Sequence, residues 1–235
     1  MAASPRIDLN RLLGRLDTFN RIGALPGGGN CRLALSDDDR AGRDLLVQWM
    51  RELELAVTID AIGNIIGVRG GREHTAAVMF GSHVDTVGTG GRYDGLYGVL
   101  AGLEACQALN DAGIATRRPL ALVAFTNEEG SRFPPYAMGS LVYVGGLALE
   151  DAYAIRGIDG ATVGEELRPF ASAAARAPSS RYGRHRLCRG WPAASTEPAG
   201  ERDPCATYRR AIAFSAALPR LNRHPRRESR RHGPP

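Results

Sequence analysis

The chain has 235 residues, 30 basic and 25 acidic, and a formal net charge of +5. Every basic residue is arginine and lysine is absent. That excludes a Walker-type phosphate loop, Schiff-base and pyridoxal-phosphate chemistry, and a Ser-Lys dyad. The charge is uneven: residues 1–168 hold 16 Arg against 21 acids, net −5, and residues 169–235 hold 14 Arg against 4 acids, net +10. A split of this size predicts two segments with different physics, 1–168 and 169–235.

In chain order, Ile7, Leu9, Leu12, Leu13, Leu16, Phe19 and Ile22 fall at helical spacing and predict an amphipathic helix over 7–22. Ser36 is the expected N-cap of a second helix. The acids Asp37, Asp38 and Asp39 suit its positive end, and Leu45, Leu46, Trp49, Met50 and Leu53 form its apolar stripe. Val57-Thr-Ile and Ile65-Ile-Gly-Val, separated by Gly63-Asn64, predict a hairpin. Residues 76–81 are a continuous apolar run, as for a strand buried on both faces. A Gly/Ala-rich helix over 96–112 follows, then a second buried strand over 120–125. Strand, crossover helix, strand predicts an α/β fold with a mostly parallel sheet flanked by helices.

Beyond residue 168 the periodicity stops. Nine large apolar residues among 67, interleaved with nine prolines, cannot build a core. A largely disordered tail is expected, with one marginal helix over 206–218. Its arginines suit a polyanion. They are not interleaved with aromatics in a stacking pattern, so a nucleic-acid partner is set aside. No apolar run approaches the roughly 18 residues of a membrane span. Met1-Ala-Ala-Ser-Pro-Arg6 leads into an amphipathic stretch rather than a signal core. The expectation is a soluble, cytoplasmic protein with no membrane partner. Cys31, Cys106, Cys188 and Cys205 have no CxxC spacing, so neither a zinc knuckle nor a disulfide framework is indicated.

Three loops at the ends of the apolar strands carry the chemistry, where ligands bind in open α/β sheets. They are Gly81-Ser82-His83-Val84-Asp85-Thr86, Gly90-Gly91-Arg92-Tyr93-Asp94-Gly95 and Thr126-Asn127-Glu128-Glu129-Gly130-Ser131. Taken singly, His83 fits a core histidine and Glu128-Glu129 a solvated helix start. Together they offer one imidazole and four carboxylates, a donor set suited to zinc, manganese or cobalt. Asp85 can fix the tautomer of His83. Asp94 can bridge two cations. Of the adjacent Glu128 and Glu129, one can ligate while the other acts as general base. No G-x-S-x-G elbow occurs. The glycines at 88, 90, 91 and 95 miss dinucleotide-loop spacing.

His83-Val-Asp85, Gly91-Arg-Tyr-Asp94-Gly95 and Asn127-Glu128-Glu129-Gly-Ser-Arg132-Phe133 resemble the signature of the N-carbamoyl-L-amino acid hydrolase, β-ureidopropionase and allantoate amidohydrolase family, over roughly residues 5–168. The resemblance implies the N-terminal part of an aminopeptidase-like (phosphorylase/hydrolase-like) catalytic domain with two divalent metal ions, zinc first and Mn2+, Co2+ or Ni2+ as alternatives. It implies His83 as ligand to one metal with Asp85 orienting it, Asp94 as the bridge, Glu129 as ligand to the second metal and Glu128 as general base. Arg132 is either a substrate contact or a plain ion-pair residue. The reaction implied is hydrolysis of a non-peptide C–N bond in a small carbamoyl, ureido or allantoate-type substrate.

The family's later His-Ile-Glu-Gln-Gly motif, its C-terminal His and its homodimerising lid are not recognisable here. Three of five ligands remain, which predicts impaired turnover. The abrupt change near Leu167-Arg168-Pro169 predicts an out-of-frame or otherwise aberrant end over 169–235. The alternatives are an inactive fragment and a polyanion-binding tail.

Overall fold

A computed structural model describes residues 4–174. The expected tail, with its marginal helix over 206–218, lies outside the described residues but for its first few. The helix α1, Leu9–Phe19, starts at Asp8, whose carboxylate accepts the Arg11 amide at 3.1 Å. It buries Leu12, Leu16 and Phe19. The helix α2, Asp37–Glu52, is capped by Ser36, whose Oγ accepts the Asp39 amide at 3.2 Å. The three acids of its first turn face the positive helix end, as expected. Leu46 and Met50 are completely enclosed.

The hairpin also forms: β1, Ala56–Ile59, pairs antiparallel with β2, Ile65–Arg69, and Ile59 faces Ile65. The strand β3, Val78–His83, the helix α3, Leu96–Asp111, and the strand β4, Leu120–Phe125, make the crossover unit, and β3 and β4 run parallel. The sheet order is β1-β2-β4-β3.

Two expectations are corrected here. The fold is α/β, but the sheet is mixed rather than mostly parallel. Only β3 and β4 run together, while β2 lies antiparallel to both β1 and β4. Apolar runs report burial and not direction, and the tight turn at 60–64 reverses β2. Nor is β3 buried on both faces. It stands at the sheet edge, with Val78 44% exposed, whereas β4 sits inside the sheet and buries Ala121 to Ala124.

The main core lies between the sheet and α1, α2 and α3. It includes Phe19, Leu46, Leu100, Leu103 and Leu122, each wholly enclosed and each contributing about 1.5–3 kcal/mol by burial. A carboxylate pins α1 to α3. The enclosed Glu104 accepts the Asp8 amide at 2.9 Å, Arg11 Nε at 2.8 Å and Nη2 at 2.7 Å, and Arg15 Nη1 at 3.4 Å.

Three helices complete the described chain: α4, Met138–Tyr143, α5, Leu149–Ala154, and α6, Val163–Ala174. They build a second core around Phe133, Met138, Ala152 and Val163. The helix α6 runs through the 168/169 boundary. Among the described residues no helix is long and apolar enough to cross a membrane.

Candidate active site

The site lies where β3 and β4 end side by side. Their parallel register sets His83 opposite Phe125, so the loop after each strand starts at the same level. His83 is 5% exposed. Its Nδ1 lies 3.0 Å from the main-chain oxygen of Asp85. A carbonyl only accepts, so Nδ1 carries a proton, and in the neutral ring the lone pair lies on Nε2. One face of the ring is covered by Gly95 at the start of α3. A Cβ there would collide with the imidazole, and Gly95 has φ +62°, so glycine is needed on both counts.

The Nε2 atom points to Glu128, whose Oε2 is 3.5 Å away. Glu129 also senses His83, with the Val87 amide as a weaker influence. The backbone of both glutamates is set by Asn127, a non-glycine residue at φ +51°. Its buried amide donates to the carbonyls of Phe133 at 2.7 Å and Pro135 at 3.3 Å, which stabilises that conformation. Burial raises the pKa of Glu129. The charge of His83 opposes the rise, and Asp94 and Glu128 add to it. Asp94 is exposed on its own loop.

Asp85 departs from the role expected of it. Its carboxylate is 3.9 Å from His83 Nδ1, and its main-chain oxygen makes the closer contact. The carboxylate instead accepts the amides of Glu128 at 3.3 Å and Glu129 at 3.2 Å. One residue therefore orients the imidazole through its backbone and the glutamate pair through its side chain. Burial pushes the Asp85 carboxyl up to about 7, and the like charge of Asp39 adds to this. His83 and the two amides oppose it without prevailing.

Arg132 is 9% exposed. Its Nε and Nη2 donate to Asp159 at 3.0 and 2.7 Å, Nη2 also to Glu166 at 3.0 Å, and Nη1 to the Ala34 carbonyl at 3.1 Å. The guanidinium fastens the loop after β4 to the 157–166 segment, and the ion-pair alternative is the one the geometry favours over a substrate contact.

Behind the loops lie groups that sequence patterning did not single out. Asn64, fully buried, accepts the Thr126 amide at 2.9 Å and donates to Asp60 at 2.8 Å and the Gly139 carbonyl at 3.0 Å. Arg43 donates to Thr126 Oγ1 at 3.3 Å and to the Gly63 carbonyl. Arg32 is wholly enclosed below Val84. A buried arginine or asparagine has no local signature. The faint signal was a charged residue, Arg32, in an otherwise apolar stretch.

In kind, His83, Asp94 and Glu129 fit a divalent cation, and the mutual repulsion felt at Glu129 is what a cation would relieve. In number they fall short. Among the described residues no group of three or more His, Cys, Asp or Glu side chains is placed to hold a metal ion.

An α/β sheet presenting an imidazole and a glutamate pair from adjacent parallel strands narrows the class, and the comparisons with known proteins agree with it. The chain belongs to the peptidase family M20/M25/M40, whose model matches residues 79–206. It is 42% identical over 164 residues to an N-carbamoyl-L-amino-acid amidohydrolase of Rhizobium meliloti, covering 69% of this chain and 39% of that one. It is 33% identical over 164 residues to a ureidoglycolate hydrolase of Arabidopsis thaliana, covering 69% and 34%. A hydantoinase/carbamoylase family amidase from Burkholderia ambifaria superposes with a TM-score of 0.69 at 50% identity, covering 73% of this chain and 41% of that one. The chain thus spans well under half the length of the relatives it matches.

Proposed function

We propose that this site belongs to a metal-dependent amidohydrolase that cleaves a non-peptide C–N bond in an N-carbamoyl-L-amino acid, a ureido acid or allantoate. The observation that carries the reading is the gathering of both glutamates around His83. Glu128 Oε2 lies 3.5 Å from the free nitrogen of His83, and the Glu129 carboxylate feels the charges of His83, Asp94 and Glu128. His83 Nε2, Asp94 and Glu129 would hold divalent metal, zinc first. Bound there, a divalent cation acidifies water and polarises the scissile carbonyl. Glu128 takes the proton of the attacking water on its carboxylate and returns it to the leaving nitrogen. Asp85 holds the Glu128 and Glu129 amides, which fixes where that proton is received. Relatives named for N-carbamoyl-L-amino-acid and ureidoglycolate hydrolysis support the substrate class.

Among the described residues no three of these donors converge, so a cation would be held weakly and turnover impaired. The test is cobalt and zinc titration of the purified chain, followed by spectroscopy and chelator competition, beside hydrolysis of N-carbamoyl-L-amino acids. Weak binding that is lost in His83→Ala and Glu129→Gln is expected, with little ammonia released. A chain that takes up no divalent metal overturns the metal assignment. Rapid turnover overturns the impairment.

A further inference from the structure

Arg32 is 0% exposed and among the largest side chains the fold encloses. Burying a guanidinium is costly unless its donors are paired, and here the pairing is incomplete. Nε donates to the Val84 carbonyl at 3.2 Å and Nη1 to the Ile22 carbonyl at 3.0 Å. The Phe19 ring centroid lies 5.1 Å from Cζ. Nη2 finds no hydrogen-bond partner among the described residues. Burial depresses the basicity of Arg32, while the charges of Asp39, Asp38 and Asp85 sustain it. An apolar side chain of similar length would fill the space without this cost, so packing alone does not account for the residue.

What Arg32 touches does account for it. Val84 separates His83 from Asp85, and the Arg32 side chain holds its carbonyl. The Arg32 main chain grips the next residue but one: its amide donates to Thr86 Oγ1 at 2.7 Å, and its carbonyl accepts the Thr86 amide at 2.9 Å. Three bonds from one residue therefore clasp the Val84–Thr86 turn. From that turn Asp85 reaches the Glu128 and Glu129 amides. The arginine also supplies positive charge behind a site that gathers Asp85, Asp94, Glu128 and Glu129.

We propose that Arg32 is a positioning residue of this site, holding the Val84–Thr86 turn so that Asp85 meets the backbone of Glu128 and Glu129. It acts through Val84 and Asp85. Its effect on metal affinity rests on the proposed function, whereas its effect on the backbone does not.

The experiment compares the full chain with Arg32→Met and Arg32→Lys by amide hydrogen exchange in metal-free buffer, with zinc competition as a second readout. In Arg32→Met, exchange at Glu128 and Glu129 is expected to quicken about tenfold, while Leu122 and Val123 in β4 hold their rates. Arg32→Lys keeps the charge and loses the fork, so about threefold quickening at the same two amides is expected. Zinc affinity is expected to fall about tenfold in Arg32→Met, the scale of an outer partner's contribution. Unchanged exchange at Glu128 and Glu129, or equal quickening throughout β4, overturns the proposal. Should Arg32→Met fail to fold, Arg32→Lys decides by the same pattern. If the unaltered chain binds no zinc, the metal reading fails and the exchange pattern alone judges Arg32.

Discussion

Glu104 and Asp85 are both enclosed carboxylates, 0% and 2% exposed, yet they are built for opposite purposes. Glu104 meets two arginines and a backbone amide, all within 3.4 Å. Asp85 meets two amides at 3.2 and 3.3 Å and an imidazole at 3.9 Å, with the like charge of Asp39 nearby. Depth is the same, so the partners make the difference. Two cations from one neighbouring helix, α1, turn a buried acid into a fastening. Backbone amides and a second acid leave it poised near neutrality, where it can orient neighbouring groups. The first arrangement joins helices and the second joins loops.

The contrast breaks first at Glu104. Glu104→Gln removes the acid that Arg11 and Arg15 share, and a loss of about 3 kcal/mol is expected, the lower end for opening a buried pair because Arg11 reaches solvent and keeps Asp111 at 2.9 Å. The thermal midpoint should fall by about 6–12 °C, with exchange at Glu128 and Glu129 unaltered. A drop of under a degree would mean that Glu104 is not a fastening. Arg132→Gln removes both bonds to Asp159 Oδ2 and the contact with Glu166. About 2 kcal/mol is expected, and limited proteolysis should cut first within 157–166.

Asp85 sharpens the other side. Its carboxyl titrates near 7 in the folded chain and near 3.9 unfolded. The folded state therefore holds the extra proton between those values. Its stabilising contribution is full below about 3.9 and is lost as pH rises through 7. In metal-free buffer the chain should lose about 1.4 kcal/mol between pH 6 and 8, and Asp85→Asn should flatten that slope. A chain equally stable at both pH values would contradict the shift. The smallest effect belongs to Arg92, whose 2.8 Å pair with Asp17 is solvent-exposed on both sides. Arg92→Ala should change stability by less than about 0.5 kcal/mol in chemical denaturation.

Much of the fold was legible because it follows local rules. The Ser36 cap, the hairpin around Gly63-Asn64 and the crossover from β3 through α3 to β4 are each written in periodicity or turn chemistry. Strand direction was not legible, because the pairing of β2 with β4 joins residues far apart in sequence. The short helices α4 and α5 escaped for a different reason: six residues each give too little periodicity. In the site, His83 and the glutamate pair announced themselves by residue type. The side-chain target of Asp85 did not. It depends on the left-handed turn at Asn127 that lifts two amides towards it.

Asn64 carries a consequence in time rather than space. Its side chain joins the hairpin turn to Thr126 and Gly139, residues 62 and 75 positions away. Loops of that length close only after their ends have been brought together by other contacts. The knot that steadies the loop after β4 should therefore tie late, after the sheet has assembled. Asn64→Ala is expected to hasten unfolding while refolding keeps nearly its original rate, which stopped-flow fluorescence would show. A chain of this design can acquire its sheet and core before it acquires the exact placement of Glu128 and Glu129.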